Sequence, residues 1–173
     1  LALGRDAKAS GRFTIAKGAN SYASGNNSQA SGTNSLANGS NAIATGTLSI
    51  ASGGGSTAIG KSSRSSGSCS IAMGVSSRST NISSIAIGSC ANAAGSYAIA
   101  GRDDSLAKGE QSVAFGKNSN SAGKSSLAFG ATSNASADNS VAIGLSSNAQ
   151  SINTIAIGAE ASSTGKESLS VGA

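Results

Sequence analysis

A 14-residue periodicity of glycine runs through the whole chain. Counting from Gly4 in steps of 14, twelve of thirteen positions are Gly, and Arg102 is the exception. A second series with the same step begins at Gly11, and nine of its twelve positions are Gly. The period never shifts, so residues 1–173 read as one array of about twelve turns, each made of two seven-residue halves. Fixed periods of this kind are typical of solenoid folds, and they predict a single repetitive domain.

The residues before each glycine of the first series alternate between small and large side chains. Residues 140–144 read Ser-Val-Ala-Ile-Gly, and this unit is typical. Alternation with a period of two predicts a β-strand with a small-residue face and an apolar face. In the second half-repeat, for example Ser-Tyr-Ala-Ser-Gly at residues 21–25, the small face persists while the other face is mostly polar. Each turn is therefore expected to hold one apolar-faced and one polar-faced strand.

Composition decides how these strands can stack. Ser, Ala and Gly make up 95 of the 173 residues and only five residues are aromatic, which excludes a core of large side chains. In an antiparallel meander, apolar and polar stripes would alternate on one face and no continuous core would form. A parallel coil of 14 residues per turn instead brings the small faces of two sheets together inside. We therefore predict an all-β, two-sheet parallel solenoid with rungs about 4.8 Å apart and with glycines in turns that require positive φ.

This arrangement places a long apolar surface on the outside of one sheet, larger than monomers normally expose. Either another domain of the same chain covers it, or identical sheets meet in a homo-oligomer. The periodic run of the stripe along the whole array favours the oligomer. The residues expected at that interface are Ile71, Ile85, Ile87, Ile99, Val113, Phe115, Leu127, Phe129, Val141, Ile143, Ile155 and Ile157.

Ligand binding is expected on the polar outer sheet. One outward column, followed in steps of 14, contains an aromatic rung, two aliphatic rungs and two arginine rungs in succession. Aromatic and arginine residues are frequent anchors of interfaces, although an ordinary surface ladder is the alternative interpretation. The candidate ligand-facing residues are Tyr22, Leu36, Ile50, Arg64 and Arg78.

Enzymatic function is not expected. The chain has no His, its few carboxylates are scattered, and its glycines form a structural series rather than a phosphate-binding loop. No catalytic residue, cofactor site or metal site is predicted, and a net charge of +5 with both signs present is not the footprint of a nucleic-acid-binding protein. Cys69 and Cys90 lie one and a half turns apart, which favours free thiols over an intrachain disulfide and leaves an interchain bridge open.

Several units resemble a known repeat. Residues 139–147 (Asn-Ser-Val-Ala-Ile-Gly-Leu-Ser-Ser), with close variants at 83–88, 111–116 and 153–158, are similar to the head repeats of trimeric autotransporter adhesins of the Yersinia adhesin A type. The resemblance covers essentially the whole chain. It departs from the pattern in the early turns, where Lys17, Gln29 and Ser31 stand at positions expected to be apolar.

The resemblance implies a left-handed parallel β-roll that forms a homotrimer. It implies a non-enzymatic head on the bacterial cell surface, linked to the outer membrane by a stalk and a C-terminal anchor outside this fragment of a longer chain. The implied function is attachment to host extracellular matrix, with collagen-like ligands, or to other cells. Similar repeats also occur in phage tail fibres, so a structural rod segment or an adhesin spacer without its own ligand is the alternative.

Overall fold

The computed structural model describes residues 1–172, which form 25 short β-strands and no helix. The odd-numbered strands make a 13-stranded sheet, sheet A, and the even-numbered strands make a 12-stranded sheet, sheet B. The strands of sheet A are β1 (Ala2–Leu3), β3 (Ile15–Lys17), β5 (Gln29–Ser31), β7 (Ile43–Thr45), β9 (Thr57–Ile59), β11 (Ile71–Met73), β13 (Ile85–Ile87), β15 (Ile99–Gly101), β17 (Val113–Phe115), β19 (Leu127–Phe129), β21 (Val141–Ile143), β23 (Ile155–Ile157) and β25 (Leu169–Val171). The strands of sheet B are β2 (Lys8–Ala9), β4 (Tyr22–Ala23), β6 (Leu36–Ala37), β8 (Ile50–Ala51), β10 (Arg64–Ser65), β12 (Arg78–Ser79), β14 (Asn92–Ala93), β16 (Leu106–Ala107), β18 (Asn120–Ser121), β20 (Asn134–Ala135), β22 (Asn148–Ala149) and β24 (Ser162–Ser163).

Every strand pairs in parallel with the strand 14 residues away. Ile71 pairs with Ile85, and Arg64 pairs with Arg78, so like residues lie on like. The register continues through the irregular turn at Gly101, which pairs with Ile87 on one side and Phe115 on the other. The predicted all-β parallel solenoid with 14 residues per turn is confirmed. No helix among the described residues has the length and apolar character needed to cross a membrane.

The interior between the two sheets is lined by small side chains. The alanines on the inner faces of both sheets are completely buried, as Ala142 and Ala149 illustrate. Serine replaces this inner alanine in four strands of sheet B, and each such hydroxyl pairs with the serine hydroxyl five residues later. Because these hydroxyls satisfy each other, the thin core tolerates polar groups without losing hydrogen bonds. The four pairs are Ser65 with Ser70, Ser79 with Ser84, Ser121 with Ser126, and Ser163 with Ser168.

The turns between strands share one backbone conformation. The residue two positions after each glycine of either series has a positive φ, as in Asn20 (φ 55°) and Asn27 (φ 57°). Asn adopts this left-handed conformation more readily than most residues, which explains its frequency in these turns. The next residue closes the turn: the Ser21 amide and hydroxyl both donate to the Gly18 carbonyl oxygen, at 3.2 Å and 2.9 Å.

The two glycine series serve different purposes. Glycines of the first series have positive φ, for example 138° at Gly32, as predicted for the turns. The prediction is wrong for the second series, because Gly25, Gly53 and their equivalents have ordinary backbone angles. In that series a Cβ would collide with the carbonyl group of the turn above; at Gly53 it would meet the carbonyl of Gly67. Glycine is therefore required there by the close approach of stacked backbones.

Candidate binding surfaces

The outer face of sheet A carries two columns of large side chains. Each strand alternates a buried alanine with two outward residues, so this face has a period of two, as the sequence predicts. All twelve residues predicted for the oligomer interface lie on this face. They remain half-buried or exposed in the isolated chain; Ile87 is 50% and Phe129 49% exposed. Polar residues interrupt the columns at Lys17, Gln29 and Ser31 in the early turns.

A notch interrupts the same face at Gly101. This residue occupies an outward position that holds Ile87 in the preceding strand and Phe115 in the following one. The Phe115 ring lies over the glycine, so a Cβ at position 101 would collide with the ring. Phe115 also stacks on Phe129, with ring centroids 5.3 Å apart and planes inclined by 10°. The aromatic side chain therefore fills the space that the missing side chain leaves.

The outer face of sheet B carries the predicted ligand-facing column. Residues at steps of 14 are paired in direct register from one strand to the next. Arginine and tyrosine in this column are exposed, and the two aliphatic residues are half-buried. The structure thus brings together Tyr22, Leu36, Ile50, Arg64 and Arg78.

The same column becomes an asparagine ladder toward the C-terminus. The Asn120 side-chain amide donates to the Asn134 side-chain oxygen at 2.9 Å, and Asn134 donates in the same way to Asn148 at 3.0 Å. Stacked amides of this kind stabilise parallel, in-register strands. These three side chains are therefore engaged with one another, whereas the arginines nearer the N-terminus have no comparable partners within their column.

A cleft lies between the sheet B column and the turn beside it. Its lining includes the arginines predicted from sequence, together with turn residues that the sequence reasoning missed. A signal for them was available, because they recur in steps of 14 at the positive-φ position two residues after Gly46, Gly60 and Gly74. The cleft has a volume of about 310 Å³ and is lined by Leu48, Ile50, Ser62, Arg64, Ser76 and Arg78.

The remaining reactive groups lie apart from this cleft. Cys69 and Cys90 are exposed free thiols in turns at opposite edges of the coil, since one turn leads into sheet A and the other into sheet B. The Asp103 carboxylate accepts a hydrogen bond from the Ser89 amide of the preceding turn at 3.2 Å. Within residues 1–172 no group of three or more metal-ligating side chains comes together.

Comparison with known proteins identifies the repeat. The sequence model of the YadA head domain repeat matches residues 16–42, 37–63, 65–89, 103–119, 107–131, 121–147 and 149–173. Among solved structures, the collagen-binding domain of the Yersinia adhesin YadA is similar, with 28% identity and a TM-score of 0.41 over 95% of this chain and 69% of that one. No curated protein sequence matches. Because the repeat model covers most of the sequence in a single register, the chain belongs to the YadA head repeat family.

Proposed function

We propose that this chain is the non-enzymatic head of a trimeric autotransporter adhesin, which attaches bacteria to host extracellular matrix or to other cells. The observation that carries the proposal is the family match, which extends along most of a rod with no interruption of register. In this proposal residues 1–173 form one head domain, displayed at the bacterial outer membrane by a stalk and an anchor elsewhere in a longer chain. A rigid rod with repeated weak contacts gains avidity without needing a deep pocket.

Trimer formation is the first part of the proposal. The outer face of sheet A presents large apolar side chains along nine consecutive strands, from β9 to β25. A surface of this size is unfavourable in water, and three identical faces around one axis would bury it. The inner core holds only small side chains, so burial between chains would also supply much of the stability of the folded rod.

Substituting Ile143 by lysine tests this interface. The charged side chain would have to be buried between three chains, so we expect the trimer to dissociate or the rod to unfold. Sedimentation velocity and thermal unfolding measure both outcomes. The matched control is Ser162→Lys, which adds the same charge on the exposed outer face of sheet B and should leave mass and melting temperature unchanged. An Ile143→Lys variant that sediments and melts like the parent would remove sheet A from the interface.

Binding to matrix proteins tests the adhesive role. The resemblance of the repeats to adhesin heads makes collagen the first candidate ligand. We expect the purified trimer to bind immobilised collagen or another matrix protein saturably at physiological salt, because a specific contact survives the screening that removes diffuse attraction between charges. Biolayer interferometry at low and physiological salt measures this. Absence of binding by a confirmed trimer would instead favour a rod segment or spacer without its own ligand.

A further inference from the structure

Charge is divided unevenly along the rod. Between Asp6 and Asp103 the chain contains no Asp or Glu, while it contains seven Lys and Arg residues. Residues 103–173 carry a net charge of −2 by the same count. The three ion pairs among the described residues also lie outside the acid-free stretch, at Arg5 with Asp6, Lys124 with Glu110, and Lys166 with Glu167. Cations within that stretch therefore have no carboxylate partner near them in sequence.

Two of these cations are stacked directly on each other. Arg64 and Arg78 are paired in register on adjacent strands of sheet B, and both side chains are exposed. Like charges that face each other across neighbouring strands destabilise a sheet. A bound anion would remove that repulsion, because the planar guanidinium group donates two parallel hydrogen bonds to an oxyanion.

The surroundings of the pair also fit an anion. The cleft of about 310 Å³ places the half-buried Ser62 and Ser76 beside the two arginines, and serine hydroxyls can donate hydrogen bonds to the same oxyanion. The opposite end of the cleft is apolar, formed by Leu48 and Ile50. The apolar lining continues along the column through Leu36 to Tyr22.

We propose that this cleft binds the sulfate groups of a sulfated polysaccharide, whose sugar rings lie along the apolar rungs from Ile50 to Tyr22. A pyranose ring has an apolar C–H face, so the ligand offers anionic and apolar groups in the same order as the column. The proposal rests on the adhesive function above, for which it names one ligand class at one site.

Nucleic acid fits the column less well. Duplex DNA carries one charge for about each 1.7 Å of its axis, and proteins that follow it use many cations. Here only Arg64 and Arg78 are adjacent in the column, and the next cation along it is Lys8, four strands beyond Arg64. Single strands bind on successive aromatic side chains, whereas Tyr22 is the one aromatic residue of this column.

The experiment compares two double variants of the trimer. Arg64→Gln with Arg78→Gln removes the stacked pair, and Lys108→Gln with Lys117→Gln removes the same charge from exposed positions outside the acid-free stretch. Heparin is the probe, with fully desulfated heparin and a duplex DNA as comparison ligands, at physiological salt. We expect the arginine variant to bind heparin about tenfold more weakly or worse, while the lysine variant binds like the parent. Desulfated heparin and DNA should bind weakly to all three proteins.

Three results would overturn the proposal. An equal loss in both double variants would show that only overall charge matters. Equal binding of desulfated heparin would remove sulfate as the recognised group, and stronger binding of DNA would replace the ligand class. Circular dichroism confirms that each variant is folded. Collagen binding is measured in parallel: its absence with heparin binding retained contradicts the matrix-protein part of the proposed function alone, and the reverse result contradicts the sulfate site alone.

Discussion

Substituting Gly53 by alanine should unfold the rod or lower its free energy of unfolding by about 3 kcal/mol or more. A Cβ at this position would collide with the carbonyl group of Gly67 in the next turn, and it would lie 2.9 Å from the Ser66 carbonyl oxygen. Both contacts are with backbone, which is held by the parallel hydrogen-bond ladder on either side and cannot move without disrupting it. Urea titration followed by circular dichroism measures the change.

The adjacent glycine supplies a control with the opposite expectation. A Cβ added to Gly54 would meet no atom within 4 Å, so Gly54→Ala should leave stability unchanged or raise it slightly. Any gain would come from the reduced conformational freedom of the unfolded chain, and would be about 0.4–1 kcal/mol. If the two variants have equal stability, the stacked turns are less close than the structure places them, and steric exclusion does not explain the second glycine series.

Substituting Ala142 by leucine should have an effect of similar size from inside the coil. Ala142 is completely buried, pairs with Ala128 and Ala156 in the adjacent strands, and belongs to a cluster that contains only alanine. Three additional carbon atoms have no space between two sheets that meet through such small side chains. We expect a loss of about 1–3 kcal/mol or a failure to fold, measured by thermal unfolding and by the yield of soluble trimer.

Ala131→Leu is the matched control for this change. Ala131 is exposed in a turn, and the equivalent position of the next turn holds Leu145, which is also exposed. The same enlargement should therefore leave the melting temperature unchanged. A parent-like Ala142→Leu protein would mean that the alanine face does not form the interior.

The architecture was predictable because the period is regular and each register position has one physical role. The alternation in residues 140–144 is enough to assign an inner and an outer face, and the fixed 14-residue step is enough to pair Arg64 with Arg78. The local change at Gly101 was also predictable as a substitution without an insertion, since Gly116 returns to the series. Composition then excluded every fold that needs a core of large side chains.

Other features depend on distances that periodicity does not contain. The sequence shows that both Gly32 and Gly25 recur, but only the stacking distance shows that one needs a positive φ and the other needs the absence of a Cβ. The cleft was missed in part for the same reason. Leu48 and Ser62 precede the sheet B column by two residues and seem separate in sequence, yet the turn brings their side chains beside Ile50 and Arg64.

The strict 14-residue register has a consequence for how such a gene changes in length. Each turn contacts only the turns before and after it, and all turns present nearly the same small side chains to their neighbours. Recombination between two repeats can therefore remove or add a whole turn and leave every remaining contact of the same kind. A change of seven residues would instead place a polar strand over an apolar one. Selection on folding should thus permit rods of many lengths, all differing by whole multiples of the same unit, with the arginine cleft carried intact to a different height.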